Sequence, residues 1–376
     1  FIASCGLFLF PEAIRKLGIS MLSAYERMDL VALLNVLSII FRYIPFFAAI
    51  LLGRSLHFAF ILLVVSWVGI AGIWLLITRK YCLKRWTSPV SLQQLWHILY
   101  ESFPFGIFFV LSVIYFKADI IMLSKMQGSI AVGFYEGAYK FIEASMFIPV
   151  SIVNVLLPVM SRCFVTDKTS YNSVYIHSTR ILAISILPVV IFVSFFSKEI
   201  ILLVYGDTYL PSVPALSLLI WTLFFIFINA PAGNIIATSK MMHAFLPYAI
   251  GNTLLNILLN LFLIPKYSFW GASFTTVFTE CTGCAVQLYF VNRVLGNASQ
   301  VVSIISKLFV AGAMASVVLY AIKSYVIFPF NGLILGSVYL ASLFALQVIG
   351  REDRQLWHEI VNLVKVKLTA HERTNL

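Results

Sequence analysis

A charge inside a long apolar stretch is costly and tends to mark a path or a cavity, so such residues are the first candidates for chemistry. Five of them fall in two neighbouring stretches. Residues 104–123 carry Lys117 and Asp119, and residues 132–157 carry Glu136, Lys140 and Glu143. Positions 136, 140 and 143 are four and three apart, which puts them on one helical face, with Glu136 ahead of Lys140 in the favoured orientation for an ion pair. Tyr139 flanks that face, and Arg42, in the stretch at 33–51, is a further cation able to reach an interior. Lys117 and Asp119 are only two apart and share no face, so one of them is expected to find a partner on another helix. Two readings remain open for the set. One is a hydrated cavity lined by both signs, with cationic sites for an anionic headgroup. The other is a group of ion pairs that only stabilises the bundle. Glu280, within 271–290, is either a proton or cation site or a satisfied structural acid.

Uncharged polar residues add a series at strict i, i+4 spacing, Asn252, Asn256 and Asn260, with Asn229 and Asn234 on the stretch before it. Amides crossing between membrane helices act as glue worth about 0.6 kcal/mol each. Cys281 and Cys284 have redox or zinc spacing, but no second pair or histidine lies near them, and packing in a helix is the better reading. No nucleophile elbow, phosphate-binding loop or zinc-protease motif is present, so a transporter rather than an enzyme is expected, with no catalytic residues, metal or cofactor.

The elements that must position these residues are membrane helices. The chain has 376 residues, 61% of them hydrophobic and 11% charged. That composition excludes a soluble globular protein. Apolar stretches lie at about 1–11, 33–51, 59–78, 104–123, 132–157, 181–203, 213–237, 247–264, 271–290, 304–322 and 332–349. Each full stretch is long enough to cross about 30 Å of hydrocarbon as a helix. Barrel strands would alternate over about ten residues, and these do not. The expected fold is therefore all-α, a polytopic bundle of about ten complete spans after a partial first one that extends to about residue 23. Phe1 stands inside an apolar run, which suggests a lost N-terminus. Pro149, Pro158, Pro188, Pro231 and Gly233 mark expected helix breaks. Residues 351–367 place Leu356, Ile360, Leu363 and Val364 on one face, which suits a helix on the inner membrane surface or a solvated tail.

Lysine and arginine avoid every second gap. Of 26, 17 lie in 12–29, 79–102, 158–180, 238–246, 291–303 and the tail 350–376, while five lie in the intervening gaps. The positive-inside rule assigns the first set, and the C-terminus, to the cytoplasm. It also accounts for the net charge of +11 without nucleic acid. The sequon Asn297-Ala298-Ser299 then falls on the cytoplasmic side and is read as chance.

Four segments carry a resemblance: SAYERMDLVALLNVLS (23–38), KADIIMLSKMQGSIAVGFYEGAYKFIEASMFIPVSIVNVLLPVMSR (117–162), YGDTYLPSVPALSLLIW (205–221) and NLFLIPKYSFWGASFTTVFTE (260–280). In order and spacing they resemble the polysaccharide-transporter (O-antigen-type flippase) branch of the multidrug/oligosaccharidyl-lipid/polysaccharide flippase superfamily. The resemblance implies a two-lobe fold with an incomplete first lobe. Residues 1–103 would be the remainder of the N-lobe (helices 4–6), 104–290 the C-lobe (helices 7–12), 291–350 two extra helices and 351–376 a cytoplasmic tail. It further implies a flippase that moves lipid-linked oligosaccharide, a polyprenyl-pyrophosphate glycan, across the cytoplasmic (inner) membrane by alternating access. Lys117, Lys140 and Arg42 would hold pyrophosphate or acidic sugars, Tyr139 would stack on a sugar ring, and Asp119, Glu136 and Glu143 would also line the cavity. Asp119 and Glu280 are the candidate ion-coupling residues. A polysaccharide polymerase and other assembly proteins are expected partners beside the lipid bilayer. The rival readings are a cation-coupled multidrug exporter of the same superfamily and a non-transporting subunit of a glycan assembly complex.

Overall fold

A computed structural model describes residues 8–25, 27–81, 91–322, 325 and 328–348. The tail at 351–376, with its expected surface helix, and Cys5 and Cys82 lie outside the described residues. Among the described residues the chain is helical, with no strand. The helices are α1 Leu9–Ala24, α2 Met28–Leu51, α3 Leu56–Tyr81, α4 Leu92–Ser145, α5 Phe147–Thr166, α6 Lys168–Phe195, α7 Ser197–Tyr205, α8 Val213–Leu219, α9 Trp221–Thr238, α10 Met242–Leu295, α11 Ala298–Ile322 and α12 Phe328–Ala345. A 3₁₀ turn, Asp207–Ser212, joins α7 to α8.

Two of these helices are hairpins. α4 is interrupted at Gly128 (φ 83°) and α10 at Ser268 (φ 52°). Cross-contacts show that the limbs run antiparallel. Tyr135 meets Asp119 and Lys117 meets Glu143 across Gly128, while Asn252 reaches the Thr279 carbonyl across Ser268. Near the second turn the limbs touch at Gly271, where a Cβ would lie 2.5 Å from the Leu263 carbonyl oxygen. Only a glycine permits that approach. Among the described residues the helices cover the stretches read from the sequence, but 132–157, 181–203 and 213–237 are each divided, at Met146, Phe196 and Ile220. Seven helical runs are long and apolar enough to cross a membrane, two of them holding a hairpin or more, and Phe330–Ala345 is a shorter apolar helix. The protein is an integral membrane helix bundle.

Prolines break fewer helices than expected. Pro158, Pro188 and Pro231 all sit inside continuous helices. The break falls at Met146, three residues before Pro149. Proline has no N–H to give the carbonyl four residues back, here Ser145, whereas in the first turn of a new helix that loss costs nothing.

The chain divides into two compact units, Phe1–Ile98 and Leu99–Leu376. In the first, Leu22, Leu34, Ile70 and Trp74 form a buried core, and the Trp74 indole donates to the Ser38 hydroxyl at 3.0 Å. Arg15 pairs with Glu12 at 2.5 Å and donates to the Asn35 amide oxygen at 3.0 Å.

The second unit is built around α6 and α9, whose Leu182, Leu187, Leu223, Phe224 and Phe227 are fully enclosed. α11 seals against this core through Gly312 on Ile191 and the stacked pair Trp221 and Phe309. Its two ends are marked by side chains. At one end, Phe134 touches both Tyr209 and Phe269, and Gln127 donates to the Ile264 carbonyl at 3.1 Å. The turns at 128, 206–212 and 268 therefore lie together. At the other, the Tyr171 and Thr238 hydroxyls are 2.5 Å apart, Asn297 donates to Asn172, and Tyr100 stacks on His243. The sequon asparagine is thus engaged in a side-chain hydrogen bond. The gaps at 158–180, 238–246 and 291–303, from the basic set, share that second end.

Candidate functional site

The α4 hairpin carries polar residues on two faces with opposite surroundings. On one, Lys140 bridges two acids of its own limb, Glu143 at 2.5 Å and Glu136 at 3.6 Å, and Lys117 reaches Glu143 from the facing limb at 3.5 Å. Two lysines and two glutamates form a neutral zigzag. Both lysines are more than half exposed, at 51% and 57%. The i, i+3 and i, i+4 spacing dictates the pairing within the limb. The Gly128 turn brings Lys117 across.

On the other face Asp119 is 3% exposed. Its carboxylate accepts from the Tyr135 hydroxyl at 2.8 Å and the Asn260 amide at 2.6 Å. The Thr276 hydroxyl lies 2.6 Å from the same carboxylate and 2.9 Å from the Ala272 carbonyl, either of which takes its proton. The Asn260 amide also donates to Asn256 at 3.2 Å, and Asn256 to the Thr279 hydroxyl at 3.3 Å. That hydroxyl meets Tyr115 at 2.8 Å and bonds back to the Thr275 carbonyl at 2.8 Å. The asparagine series thus joins helix to helix, and it does so around a buried acid. No lysine, arginine or histidine among the described residues pairs with Asp119. The Asn260 amide oxygen is buried without a hydrogen-bond partner. A buried carboxylate with no ion-pair partner is costly, so this position suits an acid that takes up a proton or a small cation. The surrounding oxygens, carboxylate, amide and hydroxyl, are the hard donors that suit a small cation.

The remaining candidates separate. Tyr139 is 4% exposed and stacks on Tyr135 with ring centroids 5.7 Å apart, so its ring face is occupied by a neighbour. Arg42 belongs to the Phe1–Ile98 unit, where its guanidinium lies 4.0 Å from the Trp67 ring centroid. Glu280 lies on the wall of a cavity in the Leu99–Leu376 unit. Asn234 acts as interhelix glue, donating to the Val153 carbonyl at 3.1 Å. Of the small residues on α4, Gly137 packs on the Tyr209 ring, while Gly133 meets nothing.

Sequence reasoning passed over Tyr115, Tyr135, Thr276 and Thr279. A signal existed: Thr275, Thr276, Thr279 and Thr282 recur at helical spacing inside an apolar stretch. Outside the spans, Asp167 caps α6. It accepts from the Thr169 N–H at 2.9 Å and the Ser170 hydroxyl at 2.5 Å, and these bonds hold its carboxyl below the ordinary value.

Comparison with known proteins adds three findings. A family model described as polysaccharide biosynthesis protein matches residues 7–164. An uncharacterized membrane protein of Methanocaldococcus jannaschii is 23% identical over 280 residues, 67% of this chain and 52% of that protein. The chain therefore spans about half the length of that curated relative. The solved structure of the lipid II flippase MurJ in an inward closed conformation superposes with a TM-score of 0.64 at 18% identity, covering 91% of this chain and 73% of that one. At that identity the likeness concerns the fold. The helical hairpins, the match over residues 7–164 and the superposition agree: this is an integral membrane protein with the fold of that flippase, similar in sequence to the polysaccharide biosynthesis family.

Proposed function

We propose that the protein is a flippase that carries lipid-linked oligosaccharide across the cytoplasmic membrane by alternating access, for surface polysaccharide assembly. The observation that carries this reading is the exposed cluster of Lys117, Glu136, Lys140 and Glu143. Lysines more than half exposed within apolar helices, as Lys117 and Lys140 are, are tolerated where they face water, not hydrocarbon. Such a face suits a hydrated path for a glycan with a pyrophosphate, whose negative charge Lys117 and Lys140 are suited to meet. Asp119 is the group we assign to the coupling proton or small cation. It is sealed off from that face and linked by hydrogen bonds to both limbs of α10, so its occupancy can alter how the helices pack. The units Phe1–Ile98 and Leu99–Leu376 correspond in this reading to part of an N-lobe and to a C-lobe with two extra helices. The basic end and the C-terminus are cytoplasmic.

Deletion of the gene tests the proposal. Lipid-linked repeat units should accumulate on the cytoplasmic leaflet and surface polymer should disappear. Normal polymer together with raised sensitivity to toxic compounds would overturn it.

A further inference from the structure

The Leu99–Leu376 unit holds a half-open cavity of about 380 Å³ that neither the charged face nor Asp119 uses. Most of its wall is apolar, including Phe108, Met146, Val153, Ile226, Phe245 and Val286. Polar side chains interrupt that wall, among them Asn229, Asn252, Gln287, the Tyr115 and Thr279 hydroxyls, and one acid, Glu280. The amide oxygens of Asn229 and Gln287 are buried without hydrogen-bond partners, and Glu280 makes no ion pair with any described residue. No lysine, arginine or histidine lines the cavity.

These features select a ligand. An anion is repelled by Glu280 and finds no cation. A purely apolar occupant, such as an isoprenoid tail, fits the wall but leaves the Glu280 carboxylate without a counter-charge. A strongly hydrated ion gains nothing from the apolar surface. A primary ammonium on an apolar body satisfies both parts, since its N–H groups meet the carboxylate and its body covers the walls. Glu280 and Gln287 are seven residues apart, about 10 Å along one helix at 1.5 Å per residue. The ammonium therefore belongs at Glu280 rather than at Gln287. We infer that this cavity is a binding site for hydrophobic primary amines in their protonated form, held by Glu280.

The test is calorimetric titration of the full-length protein in nanodiscs, with empty nanodiscs as the blank. The probes are 4-phenylbutylamine, 4-phenylbutan-1-ol and trimethyl(4-phenylbutyl)ammonium. The amine should bind saturably at one site, and the alcohol and the quaternary ion at least tenfold more weakly. Glu280→Gln should weaken amine binding at least tenfold. Gly233→Leu gives a second variant that leaves Glu280 intact. Gly233 lines the cavity, a Cβ there meets nothing within 4 Å, and a larger side chain occupies the ligand's space. It should abolish binding while the thermal midpoint is kept. Equal binding of the alcohol, non-saturable uptake matching the blank, or unchanged affinity in Gly233→Leu overturns the inference. The readout is binding rather than transport, so the result stands apart from the flippase proposal.

Discussion

The two faces of the α4 hairpin use the same chemistry in opposite settings. Lys117, Glu136, Lys140 and Glu143 sit in the open and satisfy one another. Asp119 sits two residues from Lys117, enclosed, and is held by neutral donors alone. Exposed ion pairs contribute little to stability, and the groups that form them remain available to a ligand. A buried acid held by hydroxyls and amides is bound into the packing of three helical limbs, and removing it leaves those donors without an acceptor. The comparison assigns stability to the buried face, and the proposed function places substrate contact on the exposed one.

The sharpest way to break that division is Asp119→Ala. It strands the Tyr135 and Asn260 donors, each costing about 1–3 kcal/mol when left buried and unpaired. The thermal midpoint in detergent should fall by more than for any variant of the exposed face, and if the two fall equally the division fails. Asp119→Asn retains most of the shape, so the protein should fold and insert but lose lipid transport. Gly271→Ala comes next. Its methyl meets the Leu263 carbonyl, and forcing the α10 limbs apart should cost about 1–3 kcal/mol, read from the same melting curves. Tyr135→Phe removes one hydrogen bond to Asp119 and should lower stability by about 1 kcal/mol.

On the exposed face, Lys140→Gln should leave the midpoint unchanged while abolishing flipping in a leaflet-accessibility assay. Full flipping in that variant would leave the ion pairs as structure only. The smallest effect is expected at Asp167, outside the spans. Its folded-state carboxyl titrates below the ordinary value of 3.8. Its contribution is therefore fully present above that value and is lost as pH falls through the lower folded-state value. Asp167→Asn, which lacks the charge, should melt slightly below the parent at neutral pH and converge with it once the parent's carboxyl is protonated. Melting curves between about pH 5 and 3 should show a shallower acid loss in the variant.

The helices and their order were readable because hydrocarbon thickness sets stretch length and basic residues gather at alternate gaps. The grouping of the 158–180, 238–246 and 291–303 gaps at one end has the same origin. The orientation of side chains around each helix was much harder to read. In a soluble helix the polar side faces water, but in a membrane both the lipid side and the packed side are apolar. Nothing in the local sequence therefore separates Tyr139, which is enclosed against Tyr135, from Lys140 beside it, which is open. The i, i+4 asparagines were recognisable as glue. Their convergence on Asp119 depends on the turns at Gly128 and Ser268, whose closure brings together residues more than a hundred positions apart.

Thr279 carries a consequence of its own. A hydroxyl has one proton to give and two lone pairs to share. Thr279 bonds back to the Thr275 carbonyl, receives from the Asn256 amide and lies 2.8 Å from the Tyr115 hydroxyl, where either oxygen can give the proton. Valine has the same outline and no oxygen. Thr279→Val would release one donor toward the asparagine chain that leads to Asp119 and another toward the cavity beside Glu280, disturbing both at once through a single missing atom.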